Sequence, residues 1–91
     1  MVFSDKTIVR NEDIAWRVIG DEALLVNPKD SLIYPLNSVG TRIWELLDGK
    51  NSYPDISNVI KEEFTGDKAS LEDDVLVFIG DLVEKGLALS L

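Results

Sequence analysis

Residues 31–49 constrain the fold most, because this one stretch changes from a strand pattern to a helix pattern. From Ser31 to Leu36 every second residue is apolar and bulky, which is the period of a half-buried strand; after Asn37 the apolar residues recur at helical spacing. Asn37 is a preferred residue at the start of a helix, and Gly49 readily takes the left-handed conformation that ends one. The stretch therefore predicts a strand that runs directly into a helix over about 38–48.

The residues before this stretch predict two further strands. Ile14 to Ile19 and Glu22 to Val26 flank Gly20-Asp21, a two-residue turn in which glycine takes the positive φ angle. The sequence Asn-Pro-Lys-Asp at 27–30 has the composition of a turn and forms a predicted four-residue loop into the third strand.

Counting through these turns predicts which backbone groups stay unpaired. In a two-residue hairpin the residues beside the turn exchange hydrogen bonds, so the even-numbered residues of the second strand bond to the first strand. Ala23 and Leu25 must then bond to the third strand, where a four-residue loop places them opposite Tyr34 and Leu32. Three residues of the third strand are left with backbone groups that point away from the sheet, namely Ser31, Ile33 and Pro35. Proline is tolerated mainly on edge strands, which agrees with this count.

The same count divides the side chains between two faces of the sheet. One face is almost wholly apolar and is the face that we expect the helices to cover; it carries Ile14, Trp16, Val18, Ala23, Leu25, Leu32, Tyr34 and Leu36. The opposite face mixes apolar and polar residues. Its apolar residues are either ordinary exposed residues, or covered by the N-terminal arm, or part of a partner surface.

Two more helices are predicted after the first. Ser52 and Asp55 resemble a capping box at the start of the second helix, and the third helix spans about 69–85, with Asp67 or Ser70 as its cap. The core stripe of the third helix is Leu71, Val75, Phe78, Ile79 and Leu82. On its Ile79 side this stripe widens into a helix-three shoulder, which we define as Leu76, Ile79 and Val83. Either the rest of the domain covers this shoulder, or it binds a partner.

Composition restricts both the class of protein and its partners. The chain has 91 residues, so we expect one domain over 14–91 preceded by an arm over 1–13. Without cysteine there can be no disulfide framework, zinc finger or iron–sulfur site, and without histidine the commonest general base and metal ligand is missing, so most catalytic designs are excluded. We expect no metal site and no cofactor. The formal net charge of −8 argues against nucleic acid as a partner. No segment is long and apolar enough to span a membrane, and no signal peptide is visible, so we expect a cytoplasmic protein.

Three strands followed by three helices define the fold class as α+β and winged-helix-like. Many winged-helix domains bind DNA through the third helix, but here that helix carries five acidic side chains that DNA phosphates would repel: Glu72, Asp73, Asp74, Asp81 and Glu84. Consecutive acidic residues on a helix also point in different directions, so a solvated face explains them better than paired catalytic carboxylates. A transcription regulator and an enzyme are therefore both disfavoured.

The segment Leu36-Asn37-Ser38-Val39-Gly40-Thr41-Arg42-Ile43-Trp44-Glu45-Leu46-Leu47-Asp48-Gly49, with the hairpin before it and the amphipathic helices after it, resembles the PqqD-like family of RiPP recognition elements. The resemblance covers about 14–89. It implies a non-catalytic peptide chaperone that binds the leader segment of a ribosomally made precursor peptide and presents it to a modifying enzyme, often a radical-SAM enzyme.

The resemblance also implies a site. In the family the leader adds as a strand to the third strand and lies against the third helix, and the corresponding positions here are Ser31, Leu32, Ile33, Tyr34, Pro35, Val75, Leu76, Ile79 and Val83. Because proline lacks an N–H group, an added strand could bond both backbone groups of Ser31 and Ile33 but only the carbonyl group of Pro35.

Two further interpretations use the same surfaces. The alternative function is a structural adaptor that docks on a larger enzyme through the helix-three shoulder. A free strand edge also allows two copies of the chain to pair or to swap strands, which predicts a homodimer that would compete with peptide.

Overall fold

The computed structural model describes residues 7–91 as two three-stranded antiparallel sheets and three helices. In chain order the elements are β1 (Thr7–Arg10), β2 (Ala15–Ile19), β3 (Glu22–Asn27), β4 (Leu32–Leu36), α1 (Ser38–Leu46), β5 (Asp48–Ser52), α2 (Tyr53–Glu63), α3 (Lys68–Glu84) and β6 (Ala88–Ser90). The first sheet has the strand order β2-β3-β4, and the second has the order β5-β1-β6. The predicted winged-helix-like α+β fold is confirmed, and the second sheet is added to it.

The second sheet joins three distant parts of the chain. β1, which comes from the predicted N-terminal arm, pairs with both β5 and β6, and its Ile8 is fully buried. Residues 1–6 of that arm lie outside the described residues. β5 was not predicted, because Asp-Gly-Lys-Asn-Ser is typical of a turn and acquires strand structure only from its partner.

The hairpin of β2 and β3 has the predicted register, with Arg17 opposite Leu24. The register of β4 was wrong by two residues: Ala23 lies opposite Leu36, and Leu25 lies opposite Tyr34. β3 continues to Asn27, so the loop occupies 28–31 instead of 27–30. The loop still has four residues, and a shift by an even number leaves each β4 side chain on its predicted face.

The helices cover only the middle of the apolar face of the first sheet. Ala23 and Leu25 in the central strand are fully buried, whereas Trp16 on β2 is 41% exposed and Leu32 on β4 is 53% exposed. The prediction that the helices cover this entire face was wrong at its two outer strands. α1 packs on β3 and meets β4 at Leu36, so Leu32 at the other end of β4 and every residue of β2 stay exposed. The opposite face is exposed on all three strands except at Val26, which is half-buried.

Side chains from outside the helix hold both ends of α1. Asn37 is the predicted N-cap, and its Oδ1 accepts a hydrogen bond from the N–H group of Gly40 at 2.8 Å. The helix ends at Leu46, and Gly49 lies within β5 with a φ angle of +82°, so the prediction that Gly49 ends α1 was wrong. Instead, Nη1 of Arg10 donates to the carbonyl oxygens of Trp44 and Glu45 at 3.0 and 3.1 Å. The carbonyl oxygen of Trp44 also accepts from the N–H group of Leu47 at 3.2 Å, so Arg10 adds a second donor there, and a cation is favourable at the C-terminal end of a helix.

The capping predictions for the other two helices are confirmed. Ser52 and Asp55 form the complete capping box of α2, and Asp67 caps α3. Helix α3 contributes Leu71, Val75, Ile79 and Leu82 to a single core between the sheets and helices. The other members of that core are Ile8, Ile14, Ala23, Leu25, Leu36, Ile43, Trp44, Leu47, Ile56, Ile60, Leu87 and Ala88.

A buried threonine joins α1 to the first sheet. Thr41 is only 4% exposed, and its Oγ1 accepts a hydrogen bond from the N–H group of Ala23 at 2.8 Å. The same hydroxyl lies 3.5 Å from the carbonyl oxygen of Leu36, so it bridges β3 and β4 at the point where their ladder ends.

Replacing this hydroxyl with a methyl group should destabilise the fold. We expect Thr41→Val to lower the free energy of unfolding by about 1–3 kcal/mol, because the buried N–H group of Ala23 loses its acceptor. Thr41→Ser keeps the hydroxyl and should lose less, about 1 kcal/mol for one buried methyl group. Urea denaturation followed by tryptophan fluorescence measures both values, and equal stability of Thr41→Val and the wild type would contradict the bridging role.

Candidate functional site: the β4 edge and the cleft beside α3

The first sheet has two outer strands, and β4 is the one that lies beside α3. The N–H group of Ala23 faces the β4 side, since it donates to the hydroxyl that bridges Ala23 and Leu36. Because backbone direction alternates along a strand, Tyr34 directs its backbone groups to β3, and Ile33 and Pro35 direct theirs away from the sheet. The ring of Pro35 therefore occupies an outward position, where a missing N–H group breaks no bond of the ladder.

Ser31 does not share this outward row. It is the last residue of the β3–β4 loop, has a φ angle of +58°, and donates its N–H group to the carbonyl oxygen of Asn27 at 2.8 Å. The sequence-based inference that the N–H group of Ser31 is free was therefore wrong, because the loop begins and ends one residue later than expected. The N–H group of Leu32 is not free either, because it donates a hydrogen bond to Oδ1 of Asp30 at 2.9 Å.

A hollow of about 210 Å³ separates β4 from the C-terminal half of α3. Its β4 wall includes Ile33, Tyr34 and Pro35, and its other walls come from α3 and from the segment after it: Phe78, Asp81, Leu82, Lys85 and Leu87. Nζ of Lys85 lies 5.8 Å from the centre of the Tyr34 ring and donates to Oδ2 of Asp81 at 2.8 Å. That hydrogen bond raises the pKa of Lys85 above its ordinary value.

Phe78 connects this hollow with two others, and together we call the three hollows the β4–α3 cleft. The second hollow, of about 220 Å³, lies between Phe78, Asp74 and the start of α1. There a Cβ atom at Gly40 would come within 3.2 Å of the Phe78 ring. The missing side chain at Gly40 therefore allows α1 to approach Phe78 of α3 closely. The third hollow, of about 330 Å³, is lined by Asp73, Asp74, Val77, Phe78 and Asp81.

The structure separates the nine predicted site residues into groups. Ile33, Tyr34 and Pro35 line the β4–α3 cleft; Leu32 is exposed on the same strand, and Ser31 lies in the loop before it. The four predicted residues of α3 do not line the cleft: Val75 and Ile79 are fully buried in the core, and Leu76 and Val83 are half-buried against it. The helix-three shoulder is thus covered by the domain itself.

Sequence reasoning missed every residue of α3 that lines the cleft, including Asp74, Val77 and Phe78. Phe78 was assigned to the core stripe, but it is only half-buried, at the edge of that stripe that faces β4. Val77 is 71% exposed. An apolar residue among acidic ones, as in the sequence Asp-Asp-Val-Leu-Val-Phe, is a signal that could have suggested this side of the helix.

Comparison with known proteins gives the family of this chain. The family model described as Coenzyme PQQ synthesis protein D (PqqD) matches residues 22–88. The chain therefore belongs to the PqqD family, as the sequence resemblance indicated. No protein with a curated description matches it.

Solved structures similar to this one include proteins that were determined with leader peptides. TbiB1 in complex with the TbiA(beta) leader peptide is 28% identical, with a TM-score of 0.77 over 88% of this chain and 93% of TbiB1. Lasso peptide synthetase B1, complexed with the leader peptide, is 20% identical, with a TM-score of 0.77 over 90% of this chain and 96% of its own. At that identity the second similarity shows the fold alone.

The same fold also occurs inside a much larger chain. The heterocyclase TruD is 15% identical, with a TM-score of 0.67, and the match covers 94% of this chain but 12% of TruD.

Among residues 7–91, no group of three potential metal-binding side chains comes together, and no helix is both long and apolar enough to cross a membrane.

The left-handed conformation of Ser31 provides a test of the loop that sets the β4 register. Residues other than glycine, asparagine and aspartate are strained there by about 1–2 kcal/mol. We expect Ser31→Asn to raise the free energy of unfolding by about 0.5 kcal/mol, because asparagine tolerates this conformation, and we expect Ser31→Val to lower it by about 1–2 kcal/mol, because a β-branched residue does not. Urea denaturation measures both changes. A stabilising Ser31→Val substitution would contradict the loop conformation.

Proposed function

We propose that this chain is a peptide chaperone that binds the leader segment of a ribosomally made precursor peptide by strand addition to β4. The observation that carries the proposal is the outward row of backbone groups at Ile33 and Pro35, which lies directly beside the β4–α3 cleft. Strand addition supplies affinity through backbone hydrogen bonds and supplies specificity through pockets for alternate side chains. A strand edge without a cleft would supply affinity through backbone hydrogen bonds but no specificity.

The backbone contribution to binding is small at this edge. Ile33 offers an N–H and a C=O group, and Pro35 offers a C=O group only, which limits these two positions to three hydrogen bonds. At a net value of about 0.5–1.5 kcal/mol each, three bonds give at most about 4.5 kcal/mol, before the cost of ordering the peptide. Side chains in the cleft must therefore supply much of the affinity, which supports the inclusion of Val77 and Phe78 in the proposed site.

The partner that receives the peptide is proposed to be a modifying enzyme of the radical-SAM class, in the cytoplasm where precursor peptides are made. Support for this class comes from the family resemblance. The similar structures carry the names of a lasso peptide synthetase and a heterocyclase, so the fold itself is compatible with several kinds of modification. We propose no catalytic residue in this chain.

A role as a docking adaptor is the alternative, and one observation favours a surface for it. The outer face of the first sheet exposes Ile19, Leu24 and Ile33, by 61%, 37% and 62%. This patch could meet a larger enzyme without any peptide. It replaces the helix-three shoulder as the adaptor surface, since Leu76 and Val83 are packed against the core.

Two proline substitutions test strand addition at β4. Ile33→Pro removes the outward N–H group and places a ring where the added strand would lie, so we expect peptide affinity to fall at least tenfold. Val18→Pro is the matched control, because Val18 lies at an outward position of β2, the other edge of the same sheet. It should leave the dissociation constant unchanged.

The probe is a fluorescent peptide selected on the wild-type chain from a displayed library of random 20-residue peptides. Fluorescence anisotropy gives its dissociation constant for each variant, and urea denaturation confirms that both variants are folded. A library that yields no binder, or a binder that Val18→Pro weakens as much as Ile33→Pro does, would contradict the proposed site.

A further inference from the structure

The third hollow of the β4–α3 cleft combines an apolar floor with an acidic rim. Val77 and the exposed part of Phe78 form the floor, and the carboxylates of Asp73, Asp74 and Asp81 surround it. Its volume of about 330 Å³ is enough for a large side chain. The hollow shares Phe78 and Asp81 with the hollow next to β4, so a strand added to β4 could direct a side chain into it.

Among residues 7–91, a basic side chain neutralises only one of these three carboxylates. Asp81 accepts from Nζ of Lys85 at 2.8 Å. Within the described part of the chain, neither Asp73 nor Asp74 has an ion-pair partner, although three such pairs are formed outside the hollow. Lys85 lines the end of the cleft next to Tyr34, and Asp74 lines the end next to Gly40. The charge along the cleft is therefore uneven, with its negative end at Asp73 and Asp74.

An apolar floor with a carboxylate rim is complementary to a side chain that has an apolar stem and a cationic head. Lysine and arginine have this form, and they commonly lay the stem along apolar surface while the head stays at the polar rim. A purely apolar side chain would cover Phe78 but would leave the nearby carboxylates partly desolvated and unpaired, and an acidic side chain would be repelled.

We propose that the peptide bound at this site carries a lysine or arginine that occupies the third hollow, with its stem over Phe78 and its head at Asp73 and Asp74. This inference rests on the proposed function, and it names the chemistry of the peptide that the site selects. The cation lies toward the end of the bound segment that is near the start of α1, because Asp74 borders that end of the cleft.

The test compares two variants that remove the same charge. Asp73→Asn/Asp74→Asn neutralises the rim, and Glu12→Gln/Glu62→Gln neutralises two exposed carboxylates outside the cleft. Random 20-residue peptides are selected on the wild-type chain in 0.15 M salt, where exposed charges more than about 8 Å apart are largely screened. We expect the selected peptides to share one lysine or arginine at a fixed distance from their apolar residues. The rim variant should bind them about 5- to 10-fold more weakly, and the control variant within twofold of wild type.

A change in the peptide separates a local contact from general attraction to a chain of net charge −8. Replacing the shared cation with glutamine should weaken binding to the wild type and should have little further effect on the rim variant. Selected peptides without a shared cation, or equal weakening by the rim and control variants, would overturn the inference. If the Ile33→Pro variant binds those peptides more weakly than the wild type does, the proposed function stands. If the Ile33→Pro variant binds them as tightly as the wild type does, the proposed function fails as well.

Discussion

The proposed peptide-binding surface depends on the hydrogen-bond direction of β4, because that direction decides which backbone groups are left for a partner. The loop at 28–31 sets the register. The hydroxyl of Thr41 stabilises the last residue pair of β3 and β4, Ala23 and Leu36, by accepting a hydrogen bond from the N–H group of Ala23. With this register, Ile33 and Pro35 face outward next to α3. A loop one residue longer or shorter would turn these groups toward β3 and would also move each β4 side chain to the other face.

The two sides of α3 have different roles in this arrangement. One side carries Leu71, Val75, Ile79 and Leu82 into the core and fixes the helix in position. The side toward β4 keeps Phe78 half-buried and Val77 exposed, among carboxylates. Because the first side is held by the core, the second can stay open without loss of the fold. A helix anchored in the core beside a strand edge makes a preformed groove, and a preformed groove would reduce the entropy lost when the proposed peptide binds.

Local patterns predicted those features that depend on neighbouring residues. The turn at Gly20-Asp21, the cap at Asn37 and the capping box at Ser52 each follow from the preferences of a few adjacent side chains, and all three are present. The first sheet and the order of the helices follow from the periodicity of the apolar residues. The outward direction of Ile33 was also predicted, because it depends only on whether the loop before β4 has an even number of residues.

The remaining features depend on contacts between distant parts of the chain. β5 has a turn-like sequence and becomes a strand only through β1, and the end of α1 is held by Arg10, 34 residues before the nearest of its two acceptors. The site shows the same limit. A helical wheel gives the width of an apolar stripe but not the side on which the sheet lies, so Leu76 and Val83 were chosen on one side of α3 while the cleft opens on the other, at Phe78.

Amide hydrogen exchange at Ile33, followed by NMR with and without a saturating selected peptide, tests the central claim most directly. The N–H group of Ile33 faces away from the sheet, so in the free chain we expect it to exchange faster than that of Tyr34, which bonds to β3. On strand addition the Ile33 amide should become at least tenfold more protected, while Val18 on the other edge should not change. Protection that appears at Val18, or bound peptide that leaves Ile33 unprotected, would contradict the account.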